Sequence, residues 1–547
     1  HIDLKSNLKL PGNDLVGRSF SNEQIDLYPD VKSDSADHGV KVSGLASAIS
    51  DNGLGIASLA SNARLLIVKA AADDNGSAIY RGYEGIKYAA DNGANIINCS
   101  WGGSGGGAYG QDIVNYALAR GCLIIAAAGN DNQAAPDFPA SYNGVMAIAS
   151  VDKNDLKSSF SNFGNYIDLS APGEIFSTAN GNNYGTVQGT SFSAPLVSSA
   201  AALVWSRFPQ FDWEQVMEQL RITADNIDAL NQGYSGQLGK GRLNVFRALN
   251  ETSPSVRYQQ VTVQDNSNDS RSPGDTIRIF LDLKNFLAPA NGLLVKLSSV
   301  NPNVQIIDQQ VNAGNIGMKE LRSMVGPFRV YIKPGTPDNQ VLSFKLNYSA
   351  NGTYNDSESF EIATALDYKN IRVNQVSTTM TSNGRIGYRD GEALNGIGFN
   401  YKGESLLYEA SLLIGSSVSA VSNNTRNAAS TYDEHFVKRV KVYKEADPKA
   451  AFVGRSEFDD SGNPDRLNIY VKHKQTAFRD APDDKYTIAE YEIQNRAESV
   501  LNNVYAGLFT DWDIAPGTSN VTKYDASSKL AYAFGKFGTS PYAGVKL

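Results

Sequence analysis

The sequence has 547 residues, of which 41% are hydrophobic, 10% aromatic and 19% charged, and 49 Lys and Arg stand against 57 Asp and Glu for a net charge of −8. That length predicts three or four folded units at roughly 150 residues each, and the composition is too apolar and too poor in charge for a disordered chain. An acidic balance without a polybasic run argues against nucleic acid or an anionic membrane surface as the main partner. The longest apolar runs, such as 123–128 and 200–205, fall far short of the roughly 20 residues that a membrane-spanning helix needs.

Residue 1 is His, and no charged, apolar, small-residue leader follows, so the chain reads as a processed product. Two cysteines in so long a chain build no disulfide framework. Up to about residue 250, short β-branched runs alternate with amphipathic stretches: 65–69, 78–91, 95–100, 112–120 and 122–128. Continuous apolar strands separated by helices predict a parallel sheet covered on both faces, with helix stops at Asn92-Gly93 and Gly121. From about residue 255 the period becomes two: Ile277, Ile279, Leu281 and Leu283 alternate with polar residues, as do Phe328, Val330, Ile332 and then Leu342, Phe344, Leu346, Tyr348. With turn formers at 272–275, 290–292 and 334–337, this predicts an antiparallel β-sandwich. A second β-rich stretch follows from about 368, with a hairpin signal at Asn383-Gly384 and alternation at Leu467, Ile469, Val471. The expected class is α/β, a doubly wound parallel-sheet unit over 1–252, followed by two all-β, sandwich-like units over 253–366 and 367–547.

Three segments carry chemistry. Gly189-Thr190-Ser191-Phe192-Ser193-Ala194-Pro195 precedes a helical run. A serine at the mouth of a helix exposes its hydroxyl beside unpaired N–H groups that suit a developing oxyanion, so Ser191 is the candidate nucleophile. Asp37-His38-Gly39-Val40-Lys41-Val42-Ser43-Gly44 contains the only imidazole in residues 2–250, which makes His38 the candidate base there. Ala126-Ala127-Ala128-Gly129-Asn130 ends a buried strand, where the loops of parallel sheets hold sites, and the Asn130 amide is a candidate oxyanion donor. Each segment alone also reads as ordinary structure: a helix cap, a structural His and a strand end.

Jointly and in this order, the three resemble the subtilisin-like serine protease family, whose members read HGTxVxG, AAGN and GTSxSxP. Ile97 to Gly103, Ser159 to Gly164, Ala171-Pro172-Gly173 and Leu238 to Asn244 support the match, which covers nearly all of residues 1–250. Val40 in place of Thr and Leu196 in place of His are minor departures. The resemblance implies a secreted or surface bacterial serine endopeptidase that acts on proteins or peptides. In it His38 is the base, Ser191 the nucleophile, Asn130 the oxyanion donor, and Ser100, Trp101 and Gly102 form the segment that pairs with bound peptide. It implies no required cofactor; structural calcium is possible, with Asp3, Asp51 and Asn52 lying where ligands could fall, although solvated turns are the default for these as for 459–463 and 511–513.

The family's catalytic Asp precedes an H-x-D-L sequence that is matched here by His1-Ile2-Asp3-Leu4. No residue of this sequence is therefore assigned as the triad acid, and Asp37, adjacent to His38, reads as a turn residue. The expectation is that the acid lies upstream and that this chain alone is almost inactive; the missing N-terminal piece and other surface proteins then become candidate partners. The competing reading is a noncatalytic surface or adhesion protein that keeps the fold. Asp137, in Ala135 to Ala140, aligns with the floor of the primary specificity pocket, where a carboxylate would favour Lys or Arg before the scissile bond. A solvated turn after Pro136 is the default for it. Cys99 and Cys122 are expected at opposite ends of neighbouring strands, beyond disulfide reach.

Overall fold

The structure is a computed structural model, and it describes residues 1–8, 17–19, 37–71, 78–265, 271–390, 395–401, 404–427, 429, 431–514, 520–536 and 541–547. β1 (Gly17–Ser19) and β2 (Ile67–Lys69) form a parallel pair. β3 (Ile96–Cys99), β4 (Leu123–Ala127), β5 (Val145–Val151) and β6 (Leu169–Pro172) form a parallel sheet in sequential order. The helices of this half are α1 (His38–Ser47), α2 (Gly82–Asp91), α3 (Ala108–Ala119), α4 (Thr190–Arg207), α5 (Trp213–Ile222) and α6 (Val245–Asn250).

The period-two geometry of a strand splits the continuous apolar run of β4 between two cores. Leu123, Ile125 and Ala127 pack with Val197, Ala201 and Val204 of α4 and with Leu220 of α5. Ile124 and Ala126 pack with Ile86 and Ala90 of α2 and with Val114 and Ala117 of α3. The sheet is thus covered on both faces, as its uninterrupted hydrophobicity requires. α2 and α3 stop before Gly93 and Gly121, both at positive φ, and α5 opens on a reciprocal capping box between Asp212 and Gln215.

Cys99 stands opposite Ala126, whereas Cys122 precedes Leu123, the partner of Ile96. Both thiols are free and buried, and burial pushes Cys99 up to about 12 and raises Cys122 as well. Neither should react with Ellman's reagent in the native protein, and both should react once it is unfolded. Prompt native-state reaction of either would contradict this placement.

β7 (Glu174–Thr178) and β8 (Tyr184–Gln188) form a hairpin that runs directly into α4. Ser177 and Thr178 donate hydroxyls to the Lys41 and Val40 carbonyls of α1 (2.6 and 2.8 Å). Gly44 permits this approach, because a side chain there would strike both.

The second half follows the period-two reading. β9 (Val256–Gln264), β10 (Thr276–Asn285), β11 (Ala290–Ser298), β12 (Val304–Ile306), β13 (Gln310–Ile316), β14 (Leu321–Ile332), β15 (Gln340–Ala350) and β16 (Tyr354–Thr364) make two four-stranded sheets, ordered β12-β14-β10-β9 and β13-β11-β15-β16. All pairings are antiparallel. The alternating residues Ile277, Ile279, Leu281, Leu283, Phe328, Val330, Ile332, Leu342, Phe344, Leu346 and Tyr348 form one shared core. Residues 368–546 add four further antiparallel sheets. There Leu467, Ile469 and Val471 share a core, and Asn383-Gly384 lies within a tight reversal closed by the Met380–Ile386 bridge.

The turn at 459–463 departs from the solvated reading. Asp460 and Asn463 are buried, and the Asp460 carboxylate accepts the N–H groups of Leu467 and Ile469 (2.7 and 2.9 Å). It clasps the loop from within, because a buried carboxylate must find donors. Among the described residues no helix is long and apolar enough to cross a membrane.

Candidate active site

Ser191 is the second residue of α4. Gly189, just before the helix, has φ 142°, a conformation that a side chain would strain. In a regular helix the Ser191 carbonyl would accept from residue 195, but Pro195 has no N–H to give. The carbonyl takes the Ser100 hydroxyl instead (2.7 Å), and the Ser191 hydroxyl donates back to the Ser100 carbonyl (3.3 Å). Asn98 supports Ser100 through its amide (2.9 Å) and is itself held by Ser198 of α4 (3.0 Å). The missing N–H of Pro195 therefore ties the segment after β3 to Ser191. Trp101 packs edge-on against Tyr83 of α2, 5.6 Å between centroids. Ser100 to Gly102 lie beyond the end of β3, so they extend from the sheet without being part of it.

Asn130 follows β4 in an exposed loop. Its side-chain oxygen accepts the Thr190 backbone N–H and hydroxyl (2.9 and 3.0 Å), which fixes the amide at the start of α4. Asn162 braces the same loop: its oxygen accepts from the N–H of Asp131 and of Gln133, and its amide donates to Ala128. Thr190 and Asn162 were not singled out from the sequence, although both stand inside quoted motifs.

His38 opens α1 and reaches solvent. Its ring lies 5.4 Å from that of Phe192, the neighbour of Ser191. No hydrogen bond joins the two candidate catalytic side chains, since the Ser191 hydroxyl points to Ser100. Such bonds are often loose before substrate binds. Desolvation by burial and the Lys41 charge lower the His38 pKa, and Asp37 opposes them. Among the described residues no carboxylate is hydrogen-bonded to the ring. Asp37 is more than a turn residue: it is buried, pairs with Lys41 (2.6 Å) and accepts from the Asn180 N–H (3.3 Å), which anchors the start of α1.

Asp137 departs from the default reading of a solvated turn, being only 8% exposed. Burial raises its pKa, the Asp131 charge adds to this, and the Gly103 and Phe138 N–H groups oppose it.

Of the candidate calcium residues, the structure brings Asp3 and Asn52 together. Asp3 is wholly buried and receives the Asn52 amide (2.8 Å) and the Tyr184 hydroxyl (2.6 Å). Proton donors rather than oxygen ligands surround this carboxylate, which is the wrong donor set for calcium. Among the described residues no three His, Cys, Asp or Glu cluster as metal ligands.

The model of the subtilase family (Peptidase_S8) matches residues 1–241. Thermitase of Thermoactinomyces vulgaris is 39% identical over 214 residues, which is 39% of this chain and 74% of that protein. Subtilisin DY of Bacillus licheniformis is 36% identical over 221 residues, covering 39% of this chain and 78% of its own. The chain belongs to the subtilase family. A more distant relative, the halolysin-like extracellular serine protease Nep of Natrialba magadii, is 33% identical over 43% of each chain. Subtilases of this group are serine proteases, and the matched region of this one ends before β9.

Proposed function

We propose that this subtilase is a secreted serine endopeptidase in which Ser191 is the nucleophile, His38 the general base and Asn130 the oxyanion donor. Residues 1–252 form the catalytic unit, with two β-rich accessory units after it. The observation that carries the reading is the fixing of the Asn130 amide by Thr190, the residue that precedes Ser191 in the first turn of α4. Ser191 Oγ attacks the peptide carbonyl and His38 takes its proton. The tetrahedral oxyanion is held by Asn130 Nδ2 and the Ser191 N–H, and His38 returns the proton to the departing amine. Water then hydrolyses the acyl-enzyme by the same groups. The Ser100 to Gly102 segment, tied to Ser191 by two hydrogen bonds, offers backbone groups to an extended substrate. Secretion is supported by the relative that is named extracellular.

The test is labelling of the full chain with a fluorophosphonate. One label at Ser191 is expected, and a native, folded chain that takes none would overturn the reading. Asn130→Leu should slow labelling and turnover by about 10²- to 10³-fold with little change in KM, since the lost hydrogen bond forms only with the oxyanion. An equal loss in KM would assign Asn130 to substrate binding instead.

A further inference from the structure

We propose that the cavity between the subtilase region and the first sandwich binds a neutral sugar, a pyranose whose neighbouring hydroxyls bridge Asp168 and Arg257. The inference stands apart from the peptidase reading, since it uses none of Ser191, His38 or Asn130.

The cavity holds about 400 Å³, inside the range of about 300 to 1,000 Å³ of small-molecule sites, which favour the junctions of domains. The subtilase region supplies Tyr166, Asp168 and Trp213, the first residue of α5. The sandwich supplies Arg257 and Tyr258 of β9 and Phe286, just after β10. Aromatic rings from both sides thus line one space around a small polar centre.

That centre has one open acceptor and one open donor. Asp168 Oδ2 accepts the Ala147 N–H (3.0 Å), and no donor among the described residues reaches Oδ1. Burial pushes the carboxyl up to about 6, against the pull of the Arg257 charge. Arg257 gives Nε to Glu358 (2.9 Å) and Nη1 to Glu218 (3.3 Å), which leaves Nη2. No hydrogen bond joins Asp168 to Arg257 directly. The other carboxylates at the cavity are matched: Lys284 pairs with Glu214 (2.6 Å) and Arg221 with Glu218 (2.7 Å).

This pattern selects against ions. A cationic ligand would meet the Arg257 guanidinium, and an anionic one the carboxylates of Asp168, Glu214 and Glu218. A hydroxyl both donates and accepts. Of two neighbouring sugar hydroxyls, one donates to Asp168 Oδ1 and the other accepts from Arg257 Nη2, and both bonds are charge-assisted. The C–H face of the ring then packs on Trp213 or Tyr258, whose large apolar surfaces suit it. A wholly apolar ligand would leave the carboxylate and the guanidinium desolvated and unpaired.

Methyl β-glucopyranoside, methyl α-mannopyranoside and methyl α-galactopyranoside, titrated into the full chain by calorimetry, test this without turnover. At least one should bind, and tetrahydropyran, the same ring without hydroxyls, should not. Asp168→Asn keeps an acceptor for the Ala147 N–H and removes the charge; Trp213→Leu keeps apolar bulk and removes the ring. Each should weaken the sugar about tenfold and leave fluorophosphonate labelling as in the parent; Trp213→Leu decides alone if Asp168→Asn does not fold. Failure of all three sugars to bind, or equal binding of tetrahydropyran, would overturn the proposal. Sugar binding that neither variant weakens would place the sugar elsewhere and overturn it too. Methylammonium or acetate that binds more tightly than the sugars, and is lost in Asp168→Asn, would make this an ion site instead.

Discussion

Ser191→Ala is expected to abolish hydrolysis and fluorophosphonate labelling together, whereas the loss on His38→Ala depends on what stands behind the imidazole. In subtilisin itself, removal of the base costs on the order of 10⁶ in turnover and removal of the acid about 3 × 10⁴, and the two losses do not add. A base without an acid behind it would therefore have only about 10² left to lose. Among the described residues no carboxylate is hydrogen-bonded to His38, and a loss near 10² is the result expected of an imidazole that no acid orients. Single-turnover labelling rates measure it, and a loss near 10⁶ would mean that a carboxylate of this chain orients the ring. The pH profile gives an independent reading. Burial and Lys41 lower the His38 pKa, so the ring is neutral, and able to accept a proton, down to a pH below its ordinary value of about 6.5. The labelling rate should rise with pH through a midpoint under 6.5, and Lys41→Gln should move that midpoint upward. A midpoint above 6.5 in the parent chain would contradict the electrostatics of the site.

The second large effect lies at the junction of the two halves. Arg221, on α5, is 4% exposed. It binds Glu218 (2.7 Å), Asp356 of β16 (2.7 Å) and the Ser255 hydroxyl (2.9 Å). Asp356 also pairs with Lys240, Glu218 with Arg257 (3.3 Å), and Arg257 with Glu358 (2.9 Å). The run Lys240, Asp356, Arg221, Glu218, Arg257, Glu358 alternates in sign. Burial disfavours the charged form of each of the three central groups, but the partners outweigh it and hold Asp356 and Glu218 below the carboxylate range and Arg221 above its own. Removing one member strands a buried opposite charge, and Arg221→Ala or Asp356→Ala should each cost about 3 to 5 kcal/mol. Equilibrium urea unfolding measures this, and a loss under about 1 kcal/mol would show that water or rearrangement satisfies the survivors. The sign in pH follows from the lowered Asp356 pKa. Its contribution is complete above the unfolded carboxylate pKa, about 3.9, and is lost as pH falls toward the lower folded value. The parent should therefore lose more stability than Asp356→Asn between pH 4 and strong acid.

Periodic features were legible in the sequence because burial imposes them locally. The apolar run of β4 and the alternation in β10 and β15 each state which faces are covered, and the structure buries those residues. The site motifs were legible for a related reason: a helix mouth, a strand end and a lone imidazole are recognisable within a few residues. What escaped depends on partners far away in the chain. Pro136-Asp137 reads locally as an exposed turn, yet Asp137 is buried, with Gly102 and Gly129 from distant parts of the chain beside its carboxylate. Asp460 likewise looked like a surface turn until Leu467 and Ile469 folded back onto it. Arg221 and Asp356 are 135 residues apart, and no local pattern pairs them. The clamp of Thr190 on Asn130 could have been foreseen, since a threonine beside a helix start must find an acceptor for its hydroxyl.

The charge run at the junction also bears on how such a protease could be rebuilt from parts. Accessory modules joined by a pliant tether can be exchanged without touching the enzyme they follow. Here Ile222 of α5 belongs to the core of the sandwich, and Arg221 and Glu218 draw partners from β9 and β16. A different module grafted after residue 252 would inherit a cation, an anion and an apolar side chain shaped for a neighbour no longer present. Inheritance of this sandwich and of the α5 sequence is thereby coupled: α5 would have to be rewritten whenever its neighbour changed.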